Sequence, residues 1–515
     1  MKSSLALLLL SLTAFAQPAA PPRVEPPRPL FSDHAPVLSL DALRKIILPN
    51  TTIESVTIDP KDGSCRVTAI VTHPPAQDRV KVWIALPMKN WNGRFRGNGG
   101  GGFSGGNQGS FAGSVALGFA AGATDTGHEG GSGSFALNAN GRLNWQEIRD
   151  NAYLGIHEMT VLGKALTTAF YGKAPRYAYF VGSSTGGRQG LMEAQRFPED
   201  YDGILSGCPA VNWHLMVPAS NWPQVVMREA NNFVAKEKLD AVTAAVIAAC
   251  DGDDGIVDGV IADPRRCAWD PQAFVGTKVG AEIFTVADAE VVRQIWAGPR
   301  GQDGRFLWYG FSRGANLAVV GGTEGAPLRG KPFGPAHEWL KYFIVQDAKW
   351  EGATLSRAEF ELLFNQSAEL YGPVFGADNP DLTHFRDRGG KLIITHGFAD
   401  QLIPIEGTVT YYESVQRQTG GAMKAAEFAR LFLVPGVDHG FRGAGPSPTS
   451  ATLLAAIVRW VEEGKAPDQL LAELRDKAGA VVRTRPLFPF PQVAKYSGRG
   501  STDDAANFVS SSVGR

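Results

Sequence analysis

The sequence predicts an α/β domain interrupted by a large insertion, and three observations predict it. Short apolar runs ending in polar loops occur in the first part of the chain and again near its end, as strands of an open sheet do. Between them, roughly 214 to 385, the texture changes to helix-like stretches, tryptophans and an acidic loop, without strand–helix alternation. The stretch "YAYFVGSSTGGRQGLMEAQRF", residues 177 to 197, reads as strand, tight turn and helix. A chain of 515 residues has room for one large domain with an insertion, or for two or three ordinary ones.

Taken in order, "MKSSLALLLLSLTAFAQPAAPP" carries one basic residue, Lys2, an apolar run from Leu5 to Leu12, and small residues at Ala14 and Ala16. That is the pattern of a secretory signal, residues 1–16, cleaved after Ala16, and it predicts a secreted or periplasmic protein. The run is shorter than the ~20 residues that span a bilayer, and no later stretch is long and apolar enough to do so. A formal net charge of −1 gives no electrostatic reason to bind nucleic acid or an anionic membrane, so neither is expected as a partner. After a proline-rich lead, "CRVTAIVTH" (65 to 73) and "VKVWIALP" (80 to 87) read as strands. The glycine-rich "WNGRFRGNGGGGFSGGNQGS" follows as a loop, and a helix is expected near 151 to 170. Alternation resumes at "GGKLIITHGFADQLIP" and "ARLFLVPGVDHGF", each a short strand ending in a polar loop. The domain boundaries read from this are 17–213 with 386–515 for the α/β domain and 214–385 for the lid.

The chemistry concentrates at the central turn. Gly182, Ser183, Ser184, Thr185 and Gly186 satisfy GxSxG, which makes Ser184 the central serine of a nucleophile elbow. A serine nucleophile needs a base and a group that orients it. In α/β-hydrolases these follow as Asp or Glu and then His, on loops after later strands. Asp400 after "KLIIT" and His439 after "RLFLV" meet that requirement. His396 lies close to its strand end and His128 lies upstream of the serine, so both read as structural. Asp438 is adjacent to His439, and neighbours in sequence rarely point into one site. An oxyanion hole needs two backbone N–H groups, each worth about 100- to 1,000-fold in rate. The elbow places Thr185 N–H as one, and the glycine run Gly99 to Gly102 is the source for the other. A phosphate-binding loop is the rival reading of that run, but no GK[ST] follows it. The four cysteines, Cys65, Cys208, Cys250 and Cys267, allow three pairings.

In this order, "WNGRFRGNGGGGFSGG", "ATDTGH", "YFVGSSTGGRQGLMEAQRFPEDYDGIL", "HGFADQLIP", "ARLFLVPGVDHG" and "APDQ" resemble the tannase and feruloyl esterase family, which also includes hydrolases of mono(2-hydroxyethyl) terephthalate. The resemblance implies an α/β-hydrolase fold with a large inserted lid domain, and cleavage of esters of aromatic acids, free or linked to a plant polymer. It implies Ser184 as nucleophile, Asp400 as acid, His439 as base, and Gly102 and Thr185 as oxyanion donors. The loop "CDGDDGIVDGVIADPRRC" resembles the family's lid calcium site, with the carboxylates of Asp251, Asp254 and Asp258 and the carbonyls of Ile256 and Val260 as hard oxygen ligands. It is not an EF-hand, because Ala262 stands where that loop needs Glu. Cys250 and Cys267 would close a short loop around it, an effect of about 3 kcal/mol in the chain-entropy model.

One departure from the family pattern stands out. Where relatives carry a cysteine before the nucleophile and another after the base, joined in a disulfide, this chain has Ser183 and Gly440. Phe488 and Val509 likewise stand where relatives often carry cysteines, and Cys65 and Cys208 are expected as free thiols. The function expected is a secreted serine carboxylic ester hydrolase of the feruloyl esterase or tannase type, acting through an acyl-enzyme. Hydrolysis of mono(2-hydroxyethyl) terephthalate is the alternative within that class, and a non-catalytic polyphenol- or carbohydrate-binding protein on the same scaffold is the alternative outside it. Lid aromatics such as Trp339, Phe333 and Trp213 read either as core packing, the favoured reading of each, or as cover for the substrate ring, and Arg329 and Lys331 are cations of the lid with no role aligned to them.

Overall fold

The computed structural model describes residues 27–31, 34–352 and 354–512; the expected signal, residues 1–16, lies outside them. The chain first builds an antiparallel meander, β1 (Thr51–Ile58), β2 (Cys65–Val71) and β3 (Val80–Leu86). In β2 and β3 the first residues alternate between buried and half-buried, and both strands end in three buried residues. Six further strands complete the sheet: β4 (Arg94–Asn98), β5 (Ala120–Thr124), β6 (Tyr177–Ser183), β7 (Gly203–Gly207), β8 (Lys391–Gly397) and β9 (Ala429–Val434). Their order is β1-β2-β3-β5-β4-β6-β7-β8-β9. From β5 to β9 every pairing is parallel.

Parallel neighbours cannot be joined by a tight turn and need crossovers, usually helices. The helices α1 (Gly155–Tyr171), α2 (Thr185–Arg196) and, between β8 and β9, Ile405–Thr419 run between sheet strands. The helix expected near 151 to 170 is longer: it is entered through Trp145–Arg149 and a π-helical turn, Asp150–Leu154. The buried Arg188 guanidinium donates to the carbonyls of Ala152 (2.7 Å) and Asn151 (3.3 Å) in that turn, supplying donors where the wider turn loosens the helical ladder.

Between Gly207 and Lys391 no strand joins the large sheet among the described residues. This interval instead builds its own apolar core, which includes Trp222, Trp339, Phe343, Phe360 and Phe375. Phe103, next to the glycine run, is fully buried in the same core and stacks on Phe343 at 5.7 Å. The loop expected to hold the oxyanion is therefore wedged against the insertion. Trp339 is fully buried, stacks on Phe343 at 4.2 Å and donates its indole N–H to Ser367 (2.8 Å), and Trp213 is 4% exposed. Both are core residues: Trp339 stacks on Phe343 and meets Tyr371 and Phe375 at an edge, while Trp213 stacks on Phe375 and lies under the Arg188 guanidinium. Phe333 is half-buried against the same cluster. No helix of the described residues is long and apolar enough to cross a membrane.

Candidate active site

β6 ends at Ser183 and α2 begins at Thr185, so Ser184 must turn the chain within one residue. It does so at φ 61°, ψ −123°, a conformation that costs a non-glycine residue about 1–3 kcal/mol and persists only where neighbours enforce it. Here they do: Ser184 N donates to Gly207 O (2.9 Å), and the Ser184 carbonyl accepts from Arg188 N (3.0 Å) and Ala210 N (3.2 Å). A Cβ at Gly182 would overlap the Gly186 carbonyl, which is why the strand and helix can close only around glycine. Ser183, one residue earlier, is exposed, and a Cβ at Gly207 would lie 2.6 Å from its Oγ and 2.9 Å from the Phe441 ring.

The glycine run lies beside the elbow. Gly186 N donates to Gly100 O (3.0 Å), Gly100 N to the Gln189 side chain (3.0 Å), and the Thr185 hydroxyl to Gly102 O (2.6 Å). Gly102 takes φ +58°, the left-handed region in which a side chain would be strained. Among the described residues, neither Gly102 N–H nor Thr185 N–H has a protein acceptor. Behind them, Asn151 Nδ2 holds Phe103 O (2.9 Å) and Thr126 Oγ1 (3.0 Å). His128 stacks on Phe135 at 3.9 Å, and burial pushes its pKa down to about 4, so it is a neutral packing residue.

Asp400 and His439 come from the loops after β8 and β9. His439 Nδ1 bonds Asp400 Oδ2 at 2.8 Å, while Asp400 Oδ1 accepts from Leu402 N and Ile403 N, both at 2.8 Å. Burial would raise the Asp400 carboxyl, which is 2% exposed, but the bonds from His396 and His439 outweigh it and hold the group well below the usual carboxylate range. Asp438 instead folds its own turn, accepting from Gly440 N (2.8 Å) and Arg442 N (2.9 Å). Adjacent residues do diverge here, as expected.

Three neighbours of this site were not legible as such. The Gln401 side chain accepts from His439 N (3.0 Å). Cys208, a buried free thiol whose pKa burial and the Asp400 charge push up, lies 3.7 Å from the His439 carbonyl. His396 bonds Asp400 Oδ2 at 3.1 Å. The strand-end position that marked His396 as structural is the same signal that could have placed it beside the acid, four residues on. Cys65 is also free and buried.

In the acidic loop, Cys250 and Cys267 form a disulfide. Asp251, 7% exposed, accepts from the backbone N–H groups of Asp258 (3.0 Å), Gly259 (2.9 Å) and Val260 (3.1 Å). Asp258 Oδ2 is met by Arg485 at 2.7 Å and Arg483 at 3.3 Å. Burial, and next to it the Asp258 charge, raise the Asp254 pKa despite a bond from Ile256 N. Among the described residues the Ile256 and Val260 carbonyls accept no hydrogen bond. Carboxylates and unclaimed carbonyls are hard oxygen donors of the type calcium takes, but the Asp251, Asp254 and Asp258 oxygens are not among the described acidic groups that converge within 4.8 Å, and amides already occupy Asp251 and two guanidiniums Asp258. Arg329 and Lys331 both pair with Glu324.

A mixed sheet with six parallel strands, a strained serine between strand and helix, and an Asp–His pair on later strand ends define the α/β-hydrolase class. The chain matches the tannase and feruloyl esterase family over residues 65–511. It belongs to that family and is an esterase of it. It is 36% identical over 473 residues to a probable feruloyl esterase of Arthroderma benhamiae, covering 89% of this chain and 86% of that one. Against the mono(2-hydroxyethyl) terephthalate hydrolase of Piscinibacter sakaiensis it is 31% identical over 505 residues, with 84% and 81% covered. The crystal structure of feruloyl esterase B from Aspergillus oryzae superposes with a TM-score of 0.82 at 27% identity, covering 92% of this chain and all of that one.

Proposed function

We propose that the protein is an exported serine carboxylic ester hydrolase that releases aromatic acids of the hydroxycinnamate or gallate kind from their esters. The observation that carries this reading is the pair of N–H groups on Gly102 and Thr185, left without a protein acceptor beside a serine held in a strained turn. In the reaction, His439 takes the Ser184 proton as the hydroxyl attacks the ester carbonyl, and the Gly102 and Thr185 amides receive the oxyanion. Asp400 orients His439 and stabilises its imidazolium. The proton passes to the departing alcohol, and water then cleaves the acyl-enzyme by the same route. Initial rates on methyl ferulate and methyl gallate, for wild type beside Ser184→Ala, test it: turnover must vanish in the variant. A folded wild type silent on both, and unlabelled at Ser184 by a fluorophosphonate, would leave a binding protein.

A second reading, hydrolysis of mono(2-hydroxyethyl) terephthalate, is favoured by one observation, the 31% identity over 505 residues to the Piscinibacter sakaiensis hydrolase of that half-ester. Rates on that half-ester against its methyl diester separate the two readings.

Calcium belongs to the same proposal: the Asp251, Asp254 and Asp258 carboxylates and the Ile256 and Val260 carbonyls would hold it, and it would cross-link the loop without touching the ester. Export rests on the segment ending at Ala16, and sequencing the amino terminus of the secreted protein tests it; a terminus at Met1 overturns it.

A further inference from the structure

Asp400 is surrounded by more donors than an orienting acid requires. Its Oδ1 is met by two backbone N–H groups and its Oδ2 by two imidazoles, His439 at 2.8 Å and His396 at 3.1 Å. A carboxylate offers about four lone-pair directions, and here all four are used. His396 is fully buried at the end of β8, and its other nitrogen, Nδ1, lies 2.9 Å from the hydroxyl of Thr408, itself 1% exposed on the helix Ile405–Thr419. Burying an imidazole costs free energy that an apolar residue of similar size would not, so its retention at this position calls for a use.

The hydrogen-bond direction at the carboxylate is determined. An ionised carboxylate only accepts, so His396 must present Nε2–H to Asp400. Nδ1 shares a hydrogen bond with the Thr408 hydroxyl, a group able to donate or accept, which holds the ring in place. The contacts run from Thr408 to His396 to Asp400, where they meet the donation from His439.

We propose that His396 is a positioning residue of the esterase: its Nε2–H, fixed by the Thr408 hydroxyl, pins the Asp400 carboxylate so that its remaining Oδ2 lone pair faces His439 Nδ1. The backbone amides hold only Oδ1. Without His396 the Oδ2 oxygen has a single partner, His439, whose loop has no disulfide to the elbow, since Ser183 and Gly440 are the residues beside the nucleophile and the base. Misplacement of a reacting group by about 1 Å costs about 100-fold in rate, which gives the scale of the effect. The inference rests on Asp400 and His439 being the acid and base.

The test is steady-state kinetics on the best ester substrate, with pH profiles, for His396→Phe, His396→Gln, Thr408→Val and Thr408→Ser. His396→Phe should lower kcat about 10- to 100-fold with KM within about twofold, since the loss falls on the transition state. Its acid limb in kcat/KM should move to higher pH, because an Asp400 charge no longer shared with His396 holds the His439 imidazolium more strongly. Gln, which keeps a side-chain N–H, should recover most of the rate. Thr408→Val should show a smaller loss in the same direction, and Thr408→Ser should restore wild-type behaviour. Folded His396→Phe and Thr408→Val enzymes with wild-type kcat and an unmoved acid limb would reduce His396 to a core filler. Should His396→Phe fail to fold, Thr408→Val against Thr408→Ser decides alone. Asp400→Asn serves as the control: if it is inactive while the others are normal, only this inference falls, and if it is fully active the triad reading falls with it.

Discussion

The active-site loops and the acidic loop both bring carboxylates to positions that a short motif marks, yet they use them in opposite ways. At Asp400 the donors converge: two imidazoles meet Oδ2 and two amides meet Oδ1 of one carboxylate. At the acidic loop the carboxylates are divided. Asp251 is claimed by three amides of its own loop and Asp258 by guanidiniums from Val481–Leu487, more than 220 residues away in sequence. A motif therefore says which ligand atoms are near, while the rest of the fold says which are free. The difference matters because donors that converge on one carboxylate fix its orientation, whereas carboxylates claimed one by one by their surroundings are held apart.

The largest expected effect breaks the convergent side. Ser184→Ala should lower kcat by about 10⁴-fold or more, and Asp400→Asn by about 10³- to 10⁴-fold, with folding intact by circular dichroism. Equal residual rates for the double and for Ser184→Ala alone would show that the groups act as one unit; additive losses would separate them.

Next comes the divided side. Asp258→Asn should abolish calcium binding measured by calorimetry. Arg485→Met, by removing a cation that pairs with Asp258 at 2.7 Å, should tighten it about tenfold. Unchanged affinity in both variants would remove Asp258 from the ligand set.

A smaller effect contrasts two buried acids with opposite pH behaviour. The depressed Asp400 pKa contributes stability that is full above the ordinary carboxylate range and lost as pH falls through the folded value. Asp150, fully buried, is raised by burial to about 7, so the folded state holds its proton and its contribution declines as pH rises from about 4 through 7. Asp150→Asn keeps the acceptor for Gln146, so it should flatten that decline and raise stability at pH 8 by about 1–3 kcal/mol relative to pH 5. Urea midpoints at both pH values check it; an equal shift at both would assign the effect to packing.

The smallest effect concerns rigidity. Ser183→Cys with Gly440→Cys should form a disulfide between the two active-site loops and raise the inactivation temperature by a few degrees, read by thiol titration and residual activity. A folded double variant with two free thiols at those positions would show that the two loops do not approach closely enough to be bridged.

Much of the site was legible because its signals are local. The elbow needs Gly182 and Gly186 within one strand–helix turn, and Asp400 and His439 announce themselves as polar residues just past apolar strands. The π-turn at Asp150–Leu154 was not legible, since Arg188, 36 residues on, supplies the donors to its carbonyls. For Trp213 and Trp339 the sequence left two readings open, substrate cover or core packing, because composition cannot distinguish an aromatic facing substrate from one facing other aromatics; both are buried among aromatics.

By itself, then, the sequence determined the strand–turn–helix frame, the residue types at the elbow and strand ends, and the family, because short-range backbone demands and side-chain chemistry leave few alternatives. Only the tertiary structure decided that His396 shares Asp400, that Arg485 contests Asp258 and that Phe103 wedges the glycine loop against the insertion. Each of these depends on a partner far away in the chain or on the direction in which a side chain leaves its strand, and hydrogen bonds and packing are settled by distance in space.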